Sequence, residues 1–136
     1  MTIKAKAKIA RAVYMSGNTS LIFASAMVLG MSNPEMMITA RQVIESGEAY
    51  TLPSVLAEVI YVLNGHYEVE RPVIRDTLKH LLDRVGIEYP DVVKSALDYY
   101  ADRNVDFVDA LLISRAKLLG EEVLSFDKRL NKLMSE

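Results

Sequence analysis

The sequence contains no cysteine. That absence excludes a disulfide-stabilised scaffold and any metal site built from thiolates, and it is compatible with a reducing cytoplasm. Polar residues interrupt every apolar run before it reaches the roughly 18 residues needed to span a bilayer. The net charge of -2 gives no overall attraction to nucleic acid, so a nucleic-acid partner requires a local basic patch. We therefore expect a cytoplasmic protein with no membrane segment.

The length and composition are those of one globular domain. The chain has 136 residues, of which 51% are hydrophobic and 25% charged, enough for its own core and too few for two ordinary domains. The opening residues "MTIKAKAKIARAVYM" are basic but lack the long apolar segment and cleavage site of a signal peptide. We predict a single domain over residues 1–136.

Short runs of strand type alternate with helical patterns, which indicates βα units. The predicted strands are "AVYM" (12–15), "AYTLP" (49–53) and "EEVLSF" (121–126). The predicted helices follow the spacing of apolar residues, and they are "SLIFASAMVLG", "NPEMMITARQVIESG", "SVLAEVIYVLNG" with Ser54 as N-cap, residues 71–84, "PDVVKSALDYYADR", "VDFVDALLISRAKLLG" and "DKRLNKLM". The fold class is predicted to be α/β, with a short, mostly parallel central sheet flanked by helices.

Asp106 and Asp109 stand three residues apart at the start of one predicted helix, so they share a face of its first turn. Helix capping explains Asp106 without any site, because an N-cap aspartate accepts a backbone hydrogen bond and complements the helix dipole. Asp109 is followed by the apolar residues Leu112 and Ile113, which places it toward the core side. That position is less expected of a solvated capping residue.

Glu58 shares a helical row with Val55 and Val62. A carboxylate on a buried row requires a partner, because burying an unpaired charge is costly. The alternative for a lone glutamate is a place at the edge of the apolar row, where it reaches solvent or pairs with an arginine. The residues alone leave both interpretations open.

Two polar residues stand just past strand-like runs: Asn18 beyond "AVYM" and Asp127 directly after "VLSF". Asp127 taken singly suits the N-cap of the last helix. In a parallel sheet, however, the strand carboxyl ends lie along one edge, so both residues are expected to converge there with Glu58 and Asp109.

Converging carboxylates repel each other by about 4 kcal/mol per pair at about 4 Å, with an effective dielectric constant of about 20. With no cysteine and only oxygen ligands, the ion that fits is Mg²⁺ or Mn²⁺. Such an ion activates water and clamps a phosphoryl oxygen, which is the chemistry of phosphodiester hydrolysis.

Four motifs, "NTSLIF", "LPSVLAEVIYVL", "VDFVDALLISRAKLLG" and "VLSFDKRL", occur in the order and at the spacing of PIN domains. The chain resembles most closely the VapC type of toxin ribonuclease, which usually reads D-T-S/N-x-L, an A-E-V helix, x-D-A-L, and T/S-F-D after the last strand. The resemblance implies a metal-dependent endoribonuclease that hydrolyses RNA, forms a homodimer and is held inactive by a cognate antitoxin.

Position by position, the resemblance places the family's four acids at Asn18, Glu58, Asp109 and Asp127, with Asp106 as an auxiliary metal ligand. Thr19 and Ser125 match small hydroxyl residues that orient the carboxylates or the scissile phosphate.

The first acid is replaced, since Asn18 stands where the family has aspartate. An amide oxygen still ligates a metal, but the substitution removes one negative charge. We therefore expect weaker Mg²⁺ binding and impaired nuclease activity. An alternative is a non-catalytic PIN module that binds RNA or a protein partner. A different magnesium phosphohydrolase is a third possibility, although no phosphate-cradling glycine-rich loop is present.

Basic residues occur near both ends of the chain, and Lys128, Arg129 and Lys132 are candidates to rim the acidic pocket. The alternative, a solvated surface, is favoured for them. Arg115 and Lys117, beyond Asp109 on the same helix, are better placed to contact phosphate. His66 and His80 show no metal-binding spacing.

Overall fold

The structure, a computed structural model, describes Ile38, Gln42, Glu45, Gly47 and residues 49–136, and five helices follow one another within 49–136. They are α1 (Pro53–Gly65), α2 (Arg71–Leu82), α3 (Pro90–Asp102), α4 (Phe107–Leu119) and α5 (Lys128–Ser135). The chain divides into two compact units, Met1–Glu88 and Tyr89–Glu136. None of the described helices has the length and apolar character needed to cross a membrane.

In the first unit, α1 and α2 bury one apolar face each, because their hydrophobic residues recur at helical spacing. The buried residues of α1 are Val55, Leu56, Val59, Ile60, Val62 and Leu63, and those of α2 are Ile74, Leu78 and Leu82. Helix α1 begins at Pro53 with Leu52 as its N-cap, so the prediction of Ser54 as N-cap is wrong. Proline suits the first helical position because its φ is already helical and its missing N–H has no partner to lose there.

The predicted sheet is represented in the described residues by a single parallel bridge, between Tyr50 and Gly86. The Thr51 N–H donates to the Gly86 carbonyl at 2.7 Å, and the Gly86 N–H donates to the Ala49 carbonyl at 2.9 Å. The predicted strand at 49–53 therefore contributes one bridge only. The described part of the chain holds no strand at 121–126, because no described residue supplies the ladder hydrogen bonds that define one. The predicted strand at 12–15 and the predicted helix at 20–30 lie outside the described residues.

The second unit is built from α3, α4 and α5, with α3 packed against α4 and α4 against α5. Its centre is fully buried and contains the small residues Ala96 and Ala110 beside Leu97 and Ile113. Small side chains let two helices approach closely, and the Ser114 hydroxyl donates to that of Ser95 at 3.0 Å between them. This packing sets the position of the first turn of α4.

Most of the predicted helices are confirmed with small shifts at their ends. The helix predicted over 71–84 ends at Leu82, and the one predicted over 90–103 ends at Asp102. Gly120 ends α4 with φ +69°, a left-handed conformation that glycine adopts without strain. Of the predicted helix at 33–47, the described residues Ile38, Gln42 and Glu45 are helical, and Gly47 has φ +74°.

Candidate functional site

Asp109 lies in the first turn of α4, between the exposed Val108 and the buried Ala110, and is itself half-buried. Burial raises the pKa of its carboxyl group, because the charged form loses hydration. The charges of Asp106 and Asp127 raise the pKa further. The expectation that Asp109 points toward the core side is consistent with this partial burial.

Asp106 occupies the N-cap position of α4 with φ -55° and ψ 144°, but its side chain makes no capping hydrogen bond. Its backbone carbonyl instead accepts from the Ala110 N–H at 2.8 Å, which closes the first turn. Asp106 therefore occupies the predicted N-cap position, but its carboxylate does not cap the helix. The Asp106 charge acts on Asp109 in the same turn.

Asp127 is the N-cap of α5, and its carboxylate accepts a hydrogen bond from the Leu130 N–H at 3.0 Å. Ser125 supports this turn, since its hydroxyl accepts from the Asp127 N–H at 3.0 Å. The Asn131 side-chain amide donates to the Ser125 carbonyl at 2.9 Å. Ser125 and Asn131 thus hold the backbone around Asp127, and the carboxylate retains acceptor capacity beyond its capping bond.

We call the carboxylates of Asp106, Asp109 and Asp127 the acidic cluster. They lie close enough together for the charges of Asp106 and Asp127 to raise the pKa of Asp109. Their donor atoms are all oxygens, which fits a hard divalent cation such as Mg²⁺. Among the described residues, no three His, Cys, Asp or Glu side chains form an arrangement that could hold a metal ion. The acidic cluster therefore matches such an ion in donor chemistry only, because its three carboxylates do not form a metal-holding arrangement by themselves.

The other predicted ligands are Glu58 and Asn18. Glu58 is an exposed residue of α1 in the first unit, so the interpretation that it reaches solvent is confirmed. Asn18 and Thr19 lie outside the described residues. His66 and His80 are in the first unit as well.

Arg115 and Lys117, predicted to contact phosphate, each lie beside a tyrosine ring, and Arg115 also binds a carboxylate. The Arg115 guanidinium makes two hydrogen bonds of 2.7 Å to Glu121 and lies 5.2 Å from the centre of the Tyr89 ring. The Lys117 ammonium lies 5.6 Å from the centre of the Tyr99 ring. Arg115 therefore already binds a group whose charge and fork geometry resemble those of phosphate.

Sequence reasoning missed the supporting residue Asn131 and the contact that Arg129 makes. Asn131 stands four residues after Asp127, a helical spacing that could have indicated its contact with the same turn. Arg129 donates to the carbonyls of Arg103 and Asn104 just past the end of α3. No sequence signal identifies that contact, because the partners are separated by 25 or more residues.

The family model described as PIN domain matches residues 22–134. The chain belongs to the PIN domain family, whose members are generally nucleases and typically use divalent metal ions. The matched segment contains Glu58 and the acidic cluster, and it begins after Asn18. Comparison with curated proteins and with solved structures gives no match.

Proposed function

We propose that the chain is a metal-dependent endoribonuclease toxin of the VapC type that hydrolyses RNA phosphodiester bonds, in a form impaired by Asn18. The observation that carries the proposal is the match of residues 22–134 to the PIN domain family, and the pKa of Asp109, raised by burial and by the charges of Asp106 and Asp127, agrees with it. Acidic groups held together at such a cost are typical of functional sites. The membership in the PIN family supports the nuclease class.

In this proposal the acidic cluster holds Mg²⁺ or Mn²⁺, with Asp109 and Asp127 as principal ligands and Asp106 as an auxiliary one. The bound ion supplies an activated water and a positive charge for the scissile phosphate. Ser125 positions Asp127 through its hydrogen bond to the backbone N–H of that residue. The half-buried setting of Asp109 limits its hydration, which strengthens its electrostatic attraction to a cation.

The resemblance assigns the second carboxylate to Glu58 and the first position to Asn18, and both assignments belong to the proposal. Asn18 offers a neutral amide oxygen in place of a carboxylate. We propose that this loss of one charge weakens metal binding and lowers activity.

The substitution Asn18→Asp tests the function directly. We expect the variant to cleave single-stranded or structured RNA in the presence of Mg²⁺ or Mn²⁺, and to lose that cleavage on addition of a chelator. Gln42→Glu is the matched control, since it adds the same charge at an exposed residue outside the motifs. The double variant Asn18→Asp/Asp109→Asn should be inactive. Failure of Asn18→Asp to cleave any RNA across a broad screen of metals would overturn the proposal.

A second candidate, a non-catalytic PIN module that binds RNA or a protein partner, is favoured by one specific residue, the amide at Asn18. Calorimetric titration with Mn²⁺ separates the two. A functional pocket should gain affinity for the ion when Asn18 becomes aspartate, whereas a vestigial pocket should gain little. Asp109→Asn in the same background should remove the gain.

We also propose that the protein acts in the cytoplasm as a homodimer and is inhibited by a cognate antitoxin protein. Light scattering on the purified chain tests the dimer. Rescue of cells that express Asn18→Asp by a candidate antitoxin tests the inhibition, and toxicity of Asn18→Asp that no co-expressed antitoxin relieves would argue against it.

A further inference from the structure

Three cations of the second unit act on one carboxylate, that of Glu136. Arg103 lies 3.1 Å from the Glu136 side chain in an ion pair and donates a further hydrogen bond to it at 3.3 Å. Lys117 donates to the Glu136 backbone carbonyl at 3.4 Å. The charges of Arg103, Lys117 and Lys132 all lower the pKa of the Glu136 side chain. We call these four residues the Glu136 cluster.

The cluster is assembled from three helices. Arg103 is the C-cap of α3, Lys117 lies in the last turn of α4, and Lys132 lies in α5. Arg129 fixes this arrangement, because its guanidinium donates to the carbonyls of Arg103 and Asn104 and so ties α5 to the end of α3. The cations therefore converge through tertiary packing and not through sequence proximity.

The Glu136 cluster carries more positive charge than its carboxylate neutralises. Three cationic side chains act on the one acidic side chain, so positive side chains outnumber negative ones among these four residues. The side chains of Arg103 and Glu136 are 46% and 40% exposed, so an anion from solution can reach them. An exposed ion pair of this kind holds its partners weakly, because water screens the attraction.

We infer that the Glu136 cluster binds the phosphodiester backbone of single-stranded RNA, with the Glu136 carboxylate occupying a phosphate position that RNA takes over. This inference rests on the proposed ribonuclease function for the choice of RNA as the polyanion. Arginine meets a carboxylate and a phosphate with the same two-pronged geometry, and here two guanidinium nitrogens contact Glu136. Tyr99, whose ring lies under the Lys117 ammonium, supplies an aromatic surface of the type on which bases stack.

Glu136 is then a competitor of the substrate, and its removal should strengthen RNA binding. The measurement is fluorescence anisotropy of a short, labelled, single-stranded RNA of mixed sequence, with chelator present so that no cleavage occurs. We expect Glu136→Gln to bind this RNA several-fold more tightly than the parent chain. Glu122→Gln is the matched control, because it removes the same charge from an exposed residue outside the cluster. An equal gain in both variants would show a general charge effect and overturn the inference.

The cations provide the converse test. Loss of one phosphate contact to single-stranded RNA lowers the slope of log affinity against log salt by about 0.7, which corresponds to about fivefold weaker binding at about 0.1 M salt. We expect this from Arg103→Ala and from Lys132→Ala, and not from Arg84→Ala, which removes an exposed cation of the first unit. Arg103→Lys should keep the salt slope and lose part of the affinity, because it retains the charge without the fork.

The two proposals fail separately. If Asn18→Asp cleaves RNA while the Arg103 and Lys132 variants bind it like the parent, the Glu136 cluster is not the binding site and the nuclease function stands. If the cluster variants change affinity and salt slope as expected while Asn18→Asp stays inactive, the binding site stands and the nuclease function fails. No RNA binding by any variant would overturn the inference about the cluster.

Discussion

Asp127 caps helix α5 by accepting from the Leu130 N–H at 3.0 Å, and the same carboxylate raises the pKa of Asp109 in helix α4. One side chain thus takes part in local helix formation and in the electrostatics of the acidic cluster. The capping role predicted for Asp127 is confirmed, and its role as a site residue stays a prediction.

These two roles of Asp127 can be separated by substitution. Asp127→Ala removes the cap and should lower the free energy of unfolding by about 0.5–2 kcal/mol, whereas Asp127→Asn keeps an N-cap acceptor and should change it little. Both variants remove the charge that raises the pKa of Asp109, so in each the pKa should fall toward its ordinary value. Urea unfolding and carboxyl titration by NMR measure the two effects. Equal stability of the two variants would contradict the capping role.

Asp109 should make stability fall with rising pH. The unfolded chain has the ordinary aspartate pKa of about 3.9, and the folded chain has a raised one. Its contribution to stability is therefore fully present below the unfolded value and is lost as the pH rises through the folded value. Asp109→Asn should flatten this part of the urea-unfolding profile and be more stable near neutral pH. Asp91→Asn, which removes the same charge from an exposed residue in the first turn of α3, is the matched control.

Gly120 and Gly65 form a matched pair for backbone conformation. A Cβ at either position meets nothing within 4 Å, so space does not distinguish them. Gly120 has φ +69°, and Gly120→Ala should lower the free energy of unfolding by about 1–2 kcal/mol. Gly65 ends α1 without a positive φ, and Gly65→Ala should be neutral or stabilising by up to about 1 kcal/mol. Thermal or urea unfolding checks both, and a reversed order would refute the backbone explanation.

Leucine to alanine can be compared at a buried residue, Leu97, and at an exposed one, Leu118. Leu97 is 0% exposed between α3 and α4, and Leu97→Ala should cost about 2–5 kcal/mol through lost burial and a residual cavity. Leu118 is 54% exposed, and Leu118→Ala should cost about 0.5 kcal/mol or less. Similar costs would indicate that Leu97 does not lie in the core of the second unit.

Much of the local structure could be predicted from the residue pattern. The bounds of α3, α4 and α5 follow from apolar spacing, from Pro90 at a helix start and from Gly120 at a helix end. The capping role of Asp127 was also predicted. These features depend on interactions within a few residues, and such interactions are visible in any short window of sequence.

The sheet was less predictable from the same pattern. A strand is defined by its partner, and the bridge of Tyr50 with Gly86 joins segments separated by two helices. Periodicity in one segment contains no information about its partner, so the run at 49–53 could be recognised as strand-like without Gly86. The run at 121–126 was predicted as a strand and is not one among the described residues.

The sequence by itself determined where the helices of the second unit run and which acidic residues stand at their starts. Only the tertiary structure decided that Asp109 is half-buried beside two other carboxylates, and that Arg103 reaches Glu136 across 33 residues. The physical reason is that helix formation depends on neighbours along the chain, whereas burial and charge pairing depend on which surfaces the packed helices bring together.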